Sequence, residues 1–196
     1  VEIMSILIRE EWLSLAVNEL RPFFGVHNIT LPINIRVTCG FPHNSKRSGA
    51  VSECWADTAS NDGTFEILIT PEVADPLVVV HALIAELCHA TAGALNTGLN
   101  YQRVAVQMGL APAGPPSDLW SKTAPSAEFY TNYEAIIDGL GPYPHAALNV
   151  NRKQSQSTRM LKAVCPSCGY TVRLTQKWAA QGLPSCPVDG DIFNLS

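Results

Sequence analysis

The sequence predicts an α+β chain in two parts, a helix-and-strand domain over residues 1–150 and a small basic module over 151–196. Three observations carry this. Helical periodicity and period-two alternation take turns along the first part, around one long apolar helix. Three cysteines, Cys165, Cys168 and Cys186, gather in the second part, whereas Cys39, Cys54 and Cys88 are scattered through the first. Charge divides at the same place: residues 1–150 carry seven basic and fifteen acidic side chains, and residues 151–196 carry six basic and two acidic ones.

The first element is an amphipathic helix from Arg9 to Phe24. Trp12, Ala16 and Leu20 recur at helical spacing with Leu13, Val17 and Phe24, and Pro22 with Gly25 closes the pattern. Three strands follow. In INIRVTC the residues Ile33, Ile35, Val37 and Cys39 alternate with polar ones, and the same period recurs in AVSECWA and TFEILIT. The last two are separated by SNDG, whose Asp62-Gly63 pair suits a tight turn, so a short antiparallel-type sheet is expected. Asp75-Pro76 opens the next helix, Leu77 to Ala92, which is apolar on nearly every side until Gly93 and must be a buried central element. A further helix is expected from Leu99 to Met108, a linker in APAGPPS (111–117), and a last helix in EFYTNYEAIIDGL before the basic module.

Composition excludes several classes. With 46% apolar and 15% charged residues, most of the chain can bury a core. A net charge of −4 argues against a surface that coats nucleic acid everywhere. The longest charge-free apolar stretch, Pro76 to Ala85, falls short of the ~20 residues a bilayer span needs, so no membrane partner is expected. VEIMSILIREEW turns acidic early and offers no small-residue cleavage site, unlike a secretory signal. The cysteine placement does not resemble a disulfide framework, so a reducing, cytoplasmic location is expected.

Cys165-Pro-Ser-Cys168 is a CxxC knuckle, whose two thiolates can grip one tetrahedral zinc while backbone amides steady the sulfurs. Cys186 follows where a second knuckle belongs, and its partner position holds Asp189. The ligand set is therefore Cys165, Cys168 and Cys186 with Asp189, or with a donor elsewhere as the fourth. A redox CxxC, or three unrelated thiols, is the competing reading. Against it, this segment has little apolar content and would gain most of its folding energy from a metal.

In the buried helix, Ala85-Glu86-Leu87-Cys88-His89 is an HExxH motif without its first histidine. In the complete motif, two imidazoles one turn apart hold a catalytic zinc and the glutamate acts as general base. An alanine methyl has no lone pair, and His81 lies two turns before His89. Glu86 then stands as a vestigial base or as a hydrogen-bonded buried carboxylate, and His89 as a surviving metal ligand or a core histidine.

These residues carry a family resemblance. AELCHATAG, with ITPEVADP before it, CGFP and ECW upstream, GPYPHAALN downstream and CPSCGYTVR in the second part, resembles a SprT-like zinc metallopeptidase domain followed by its zinc ribbon. The resemblance covers nearly the whole chain. It implies a small zincin-type α+β domain with an N-terminal helix, a short sheet and a buried central helix. It also implies a third histidine ligand on the segment where this chain has Thr97, so two of three catalytic ligands are missing. Zinc is expected in the ribbon and a catalytic zinc is not expected in the cleft. The segment around His145 resembles a family segment near that cleft, although a turn role after Pro144 serves equally.

The basic module adds Arg152, Lys153, Arg159, Lys162, Arg173 and Lys177, interleaved with Tyr170 and Trp178. Such a run is a solvated face or, with aromatic stacking, a nucleic-acid surface; the resemblance, whose relatives act on protein–DNA adducts, favours the second. The expected function is that of a degenerate SprT-like metallopeptidase that binds DNA, a DNA-bound protein or an assembly partner. The alternatives are an active zinc-dependent endopeptidase, with Glu86 activating water, and a purely structural or assembly protein.

Overall fold

The computed structural model describes residues 8–43, 45, 49–93, 97–150 and 160–195. The chain divides into two compact units, Val1–Asn149 and Val150–Ser196, each with its own helix and strands.

In the first unit, helix α1 spans Arg9–Val26 and buries Trp12, Leu13, Ala16, Val17, Leu20 and Phe24 along one stripe. It runs through Pro22 and Gly25 instead of stopping at them. A proline this close to the C-terminal end removes only one intrahelical bond. The fully buried Phe24 ring holds the last turn against the core, and its carbonyl accepts the amides of His27 and Ile29 to end the helix.

Strands β1 (Ile35–Cys39), β2 (Ser52–Trp55) and β3 (Phe65–Ile69) form one sheet in the order β1-β3-β2. β3 pairs antiparallel with β2, Cys54 lying opposite Ile67, and parallel with β1, Val37 lying opposite the same residue. The sheet is therefore mixed, a correction to the antiparallel-type expectation. Alternation fixes which side chains face inward but not which neighbour a strand takes. β3 takes the centre, where Ile67 and Ile69 are fully buried. The Asp62-Gly63 turn does form, with Gly63 at φ 68° and its amide bonded to the Ser60 carbonyl. It follows a 3-10 turn over Asp57–Ala59, so the connection is longer than a tight hairpin. Arg36 on β1 pairs with Asp62 and Glu66, tying the turn to the far strand.

Helix α2 spans Pro76–Ala92. Asp75 caps it by accepting the Leu77 amide at 2.9 Å, and Gly93 ends it in the left-handed region at φ 86°, a conformation glycine adopts without a Cβ penalty. Val79, Val80, Leu83, Ile84, Leu87 and Cys88 are all fully buried, and the helix packs against β2 and β3. Helix α3 (Leu99–Gln107) follows. The segment expected as a linker instead begins with β4 (Leu110–Pro112), paired antiparallel with β5 (Thr123–Pro125). Helix α4 (Phe129–Leu140) buries Phe129, Tyr133 and Ile137, and the Tyr133 hydroxyl donates to the Met108 carbonyl at 3.0 Å.

Arg9 closes this unit. Its buried guanidinium donates to the carbonyls of Pro144 at 3.1 Å and Ala146 at 2.7 Å, and lies 3.3 Å from Cys39 Sγ. Cys39 is thus half-buried beside a cation, whereas Cys54 and Cys88 are buried.

The second unit is a three-stranded sheet, β7-β6-β8, made of β6 (Leu161–Val164), β7 (Thr171–Leu174) and β8 (Asn194–Leu195), with helix α5 (Gln176–Gln181) after β7. Its buried core is Ala163, Cys165, Cys186 and Phe193. Among the described residues no helix is long and apolar enough to cross a membrane.

Candidate functional site

Helix α2 presents Val78, His81, Ala82, Ala85, Glu86 and His89 to one cleft of about 360 Å³. Their spacing is the i, i+3, i+4, i+7 stripe of a single helix face. The opposite wall comes from Ser52 on β2, Tyr101 on α3, and Trp120, Lys122 and Thr123 near β5.

Glu86 is almost fully buried, and the Ser52 hydroxyl donates to its Oε1 at 2.6 Å. Burial pushes its carboxyl up to about 7; the Ser52 bond pulls the other way and the charge of Glu53 adds to the rise. His89 stacks on Tyr101, with ring centroids 4.0 Å apart and planes 15° from parallel. Two turns earlier His81 places Nε2 3.4 Å from the Thr123 hydroxyl, and burial holds its pKa below the usual value.

Among the described residues, the cleft offers fewer donors than a catalytic zinc takes. Ala85 occupies the position one turn before His89 with a methyl group. Thr97 does not line the cleft, and its carbonyl accepts the Gln102 side-chain amide at 2.8 Å. Among the described residues, Glu86 and His89 join no third histidine, cysteine or carboxylate in a group able to hold an ion. Three protein ligands with an open fourth position are what such chemistry requires. His145 is not in the cleft: it is exposed, at φ 64°, in a turn whose neighbouring carbonyls bind Arg9.

Sequence reasoning missed Ser52 and Tyr101. The signal for Ser52 was present: alternation in SECW puts it on the same face as buried Cys54, and that face meets α2. Tyr101 left no local signal, because its stacking on His89 depends on how α3 crosses α2.

The second unit brings Cys165, Cys168, Cys186 and Asp189 together, with all four donor atoms within 4.8 Å of one another. Cys168 and Cys186 sulfurs lie 3.4 Å apart, too far for a disulfide. The Asp189 carboxylate lies 3.3 Å from Cys165 Sγ. Donors on a tetrahedron about 2.3 Å from a central ion are ~3.8 Å apart, so this set could hold a metal ion.

The two turns that carry these donors match in their backbone bonds. Cys165 N donates to Tyr170 O at 2.8 Å and Gly169 N to Cys165 O at 3.1 Å; Cys186 N donates to Asp191 O at 2.7 Å and Gly190 N to Cys186 O at 2.9 Å. Gly169 and Gly190 sit at φ 75° and 84°. Asp189 therefore occupies in the second turn the place of Cys168 in the first. The Cys168 thiol and the Asp191 amide beside it hold the Asp189 carboxyl below the usual carboxylate range.

Of the basic residues, Arg152, Lys153 and Arg159 lie outside the described residues. Lys162 and Arg173 are exposed and directly opposite each other across β6 and β7, so both point to the sheet face away from Ala163. Like charges so placed repel unless an anion lies between them. Lys177 lies 5.4 Å from the ring centre of Trp178, which is exposed, and Trp178 lines a groove with Arg173 and Met160.

Neither a family model, nor a curated protein, nor a solved structure matches this chain.

Proposed function

We propose that the first unit is a SprT-like metallopeptidase scaffold that has lost its catalytic zinc. The protein then acts as a binding module, with a zinc-stapled ribbon that contacts nucleic acid or a protein bound to it. The observation that carries this reading is Ala85: a methyl group lines the cleft wall beside Glu86 and His89, where hydrolysis would need a nitrogen donor. The motif resemblance supplies the family, and the Lys162–Arg173 pair favours a polyanionic partner. Zinc is the ion best suited to three thiolates and a carboxylate in a tetrahedral set.

Elemental analysis of the full chain tests this. One zinc per chain is expected, lost on Cys165→Ser; two per chain would refute the reading. Casein digestion that disappears with chelator and with Glu86→Gln would instead establish an endopeptidase. Binding to a single-stranded oligonucleotide should weaken with salt and lose part of its salt dependence in the Lys162→Gln/Arg173→Gln double variant, because each phosphate contact releases condensed counterions. Binding without salt dependence would leave only the assembly role.

A further inference from the structure

The second turn of the ribbon matches the first in every backbone bond described above, yet ends in Asp189 in place of a cysteine. The substitution is thus a change of donor at an intact ligand position. A carboxylate oxygen is a harder, weaker partner for a thiophilic ion than a thiolate. It is also accessible: Asp189 and Cys168 are exposed, whereas Cys165 and Cys186 are almost fully buried, so of the two donors open to solvent the carboxylate is the weaker. The buried core of this unit is Ala163, Cys165, Cys186 and Phe193, so half of it consists of ligand cysteines. A core that small does not hold its shape without a staple.

On the zinc-ribbon reading above, we infer that Asp189 is a displaceable ligand through which the ion of the ribbon exchanges with external thiols and chelators. Dissociation of the carboxylate opens one coordination position on the solvent side while three sulfurs stay attached. An incoming soft donor enters there, and the three cysteines are then released in turn. Because two of those cysteines are core residues, the order of residues 160–195 follows the filling of the site. The ribbon is a site for a labile divalent metal whose occupancy switches a fold, and not a permanent staple.

The test uses the full chain loaded with zinc. X-ray absorption should find three sulfur scatterers and one oxygen in the wild type, and four sulfurs in Asp189→Cys. Transfer of zinc to a pyridylazo chelator should be at least about tenfold slower in Asp189→Cys and faster than wild type in Asp189→Asn, since loss of a ligand interaction changes metal affinity by ~10-fold or more. Amide exchange in 160–195 should rise in step with metal transfer. Equal transfer rates in the wild type and Asp189→Asn would overturn the inference, as would an all-sulfur shell in the wild type, with the ribbon reading left standing. If Asp189→Cys does not fold, the Asp189→Asn comparison decides alone. Failure of the wild type to bind zinc at all would remove the ribbon reading, and the inference with it.

Discussion

Replacing Glu86 by glutamine should change how the stability of the first unit depends on pH, by an amount that follows from the burial of the carboxyl. Desolvation raises the Glu86 midpoint from the ordinary 4.5 to about 7, against the opposing bond from Ser52. Between these values the folded chain keeps a proton that the unfolded chain has released. The stabilisation from a raised carboxyl midpoint is therefore complete below pH 4.5 and is lost as pH rises through 7. Each pH unit in that window is worth about 1.4 kcal/mol, so the whole effect is roughly 3 kcal/mol. Glutamine has the shape of the protonated carboxyl, its carbonyl can accept the Ser52 hydroxyl, and it does not titrate. Urea unfolding of the wild type and Glu86→Gln, followed by the fluorescence of buried Trp12, should be measured at pH 4.5, 6, 7 and 8. The variant should gain about 3 kcal/mol on the wild type across that range, while the histidines common to both cancel in the difference. Two curves that stay parallel would refute the assignment of a buried carboxyl whose midpoint is raised by desolvation.

Further outcomes follow from single contacts. Asp75→Ala removes the side chain that accepts the Leu77 amide and should lower stability by about 1 kcal/mol, read from the same unfolding curves. Arg9→Met leaves the carbonyls of Pro144 and Ala146 without their donor and should cost on the order of 3 kcal/mol; a neutral result would mean water replaces the guanidinium freely. Cys168→Ser should lower the zinc content and abolish the amide protection of Ala163, whose core neighbours Cys165 and Cys186 are themselves donors.

What was legible in the sequence is what local spacing controls. Asp75-Pro76 and Gly93 marked both ends of α2 because a cap and a left-handed stop act within a turn of the helix. The donor set Cys165, Cys168, Cys186 and Asp189 was legible for the same reason: each knuckle closes over a few residues, and the structure brings all four together. The parallel pairing of β1 with β3 was not, since Val37 and Ile67 are thirty residues apart and their alternation is the same in either direction. Helix α1 was legible from Arg9 to Phe24 and continues only two residues further, to Val26. In the cleft, Glu86, Ala85 and His89 were placed correctly on one helix face, while their partners Ser52 and Tyr101 come from elements whose approach only packing decides.

The grip of Arg9 on the backbone at Pro144 and Ala146 joins positions 135 or more residues apart in sequence. It makes the first unit a closed loop of chain in space, with its opening helix latched by its closing segment. A circularly permuted version, joined through a short bridge across that latch and cut at the Asp62-Gly63 turn, would keep all the same neighbours. A version trimmed before Pro144 would instead leave a buried charged group with only the Cys39 sulfur and the Pro71 carbonyl to receive it, and folding of the remainder would suffer far from the cut.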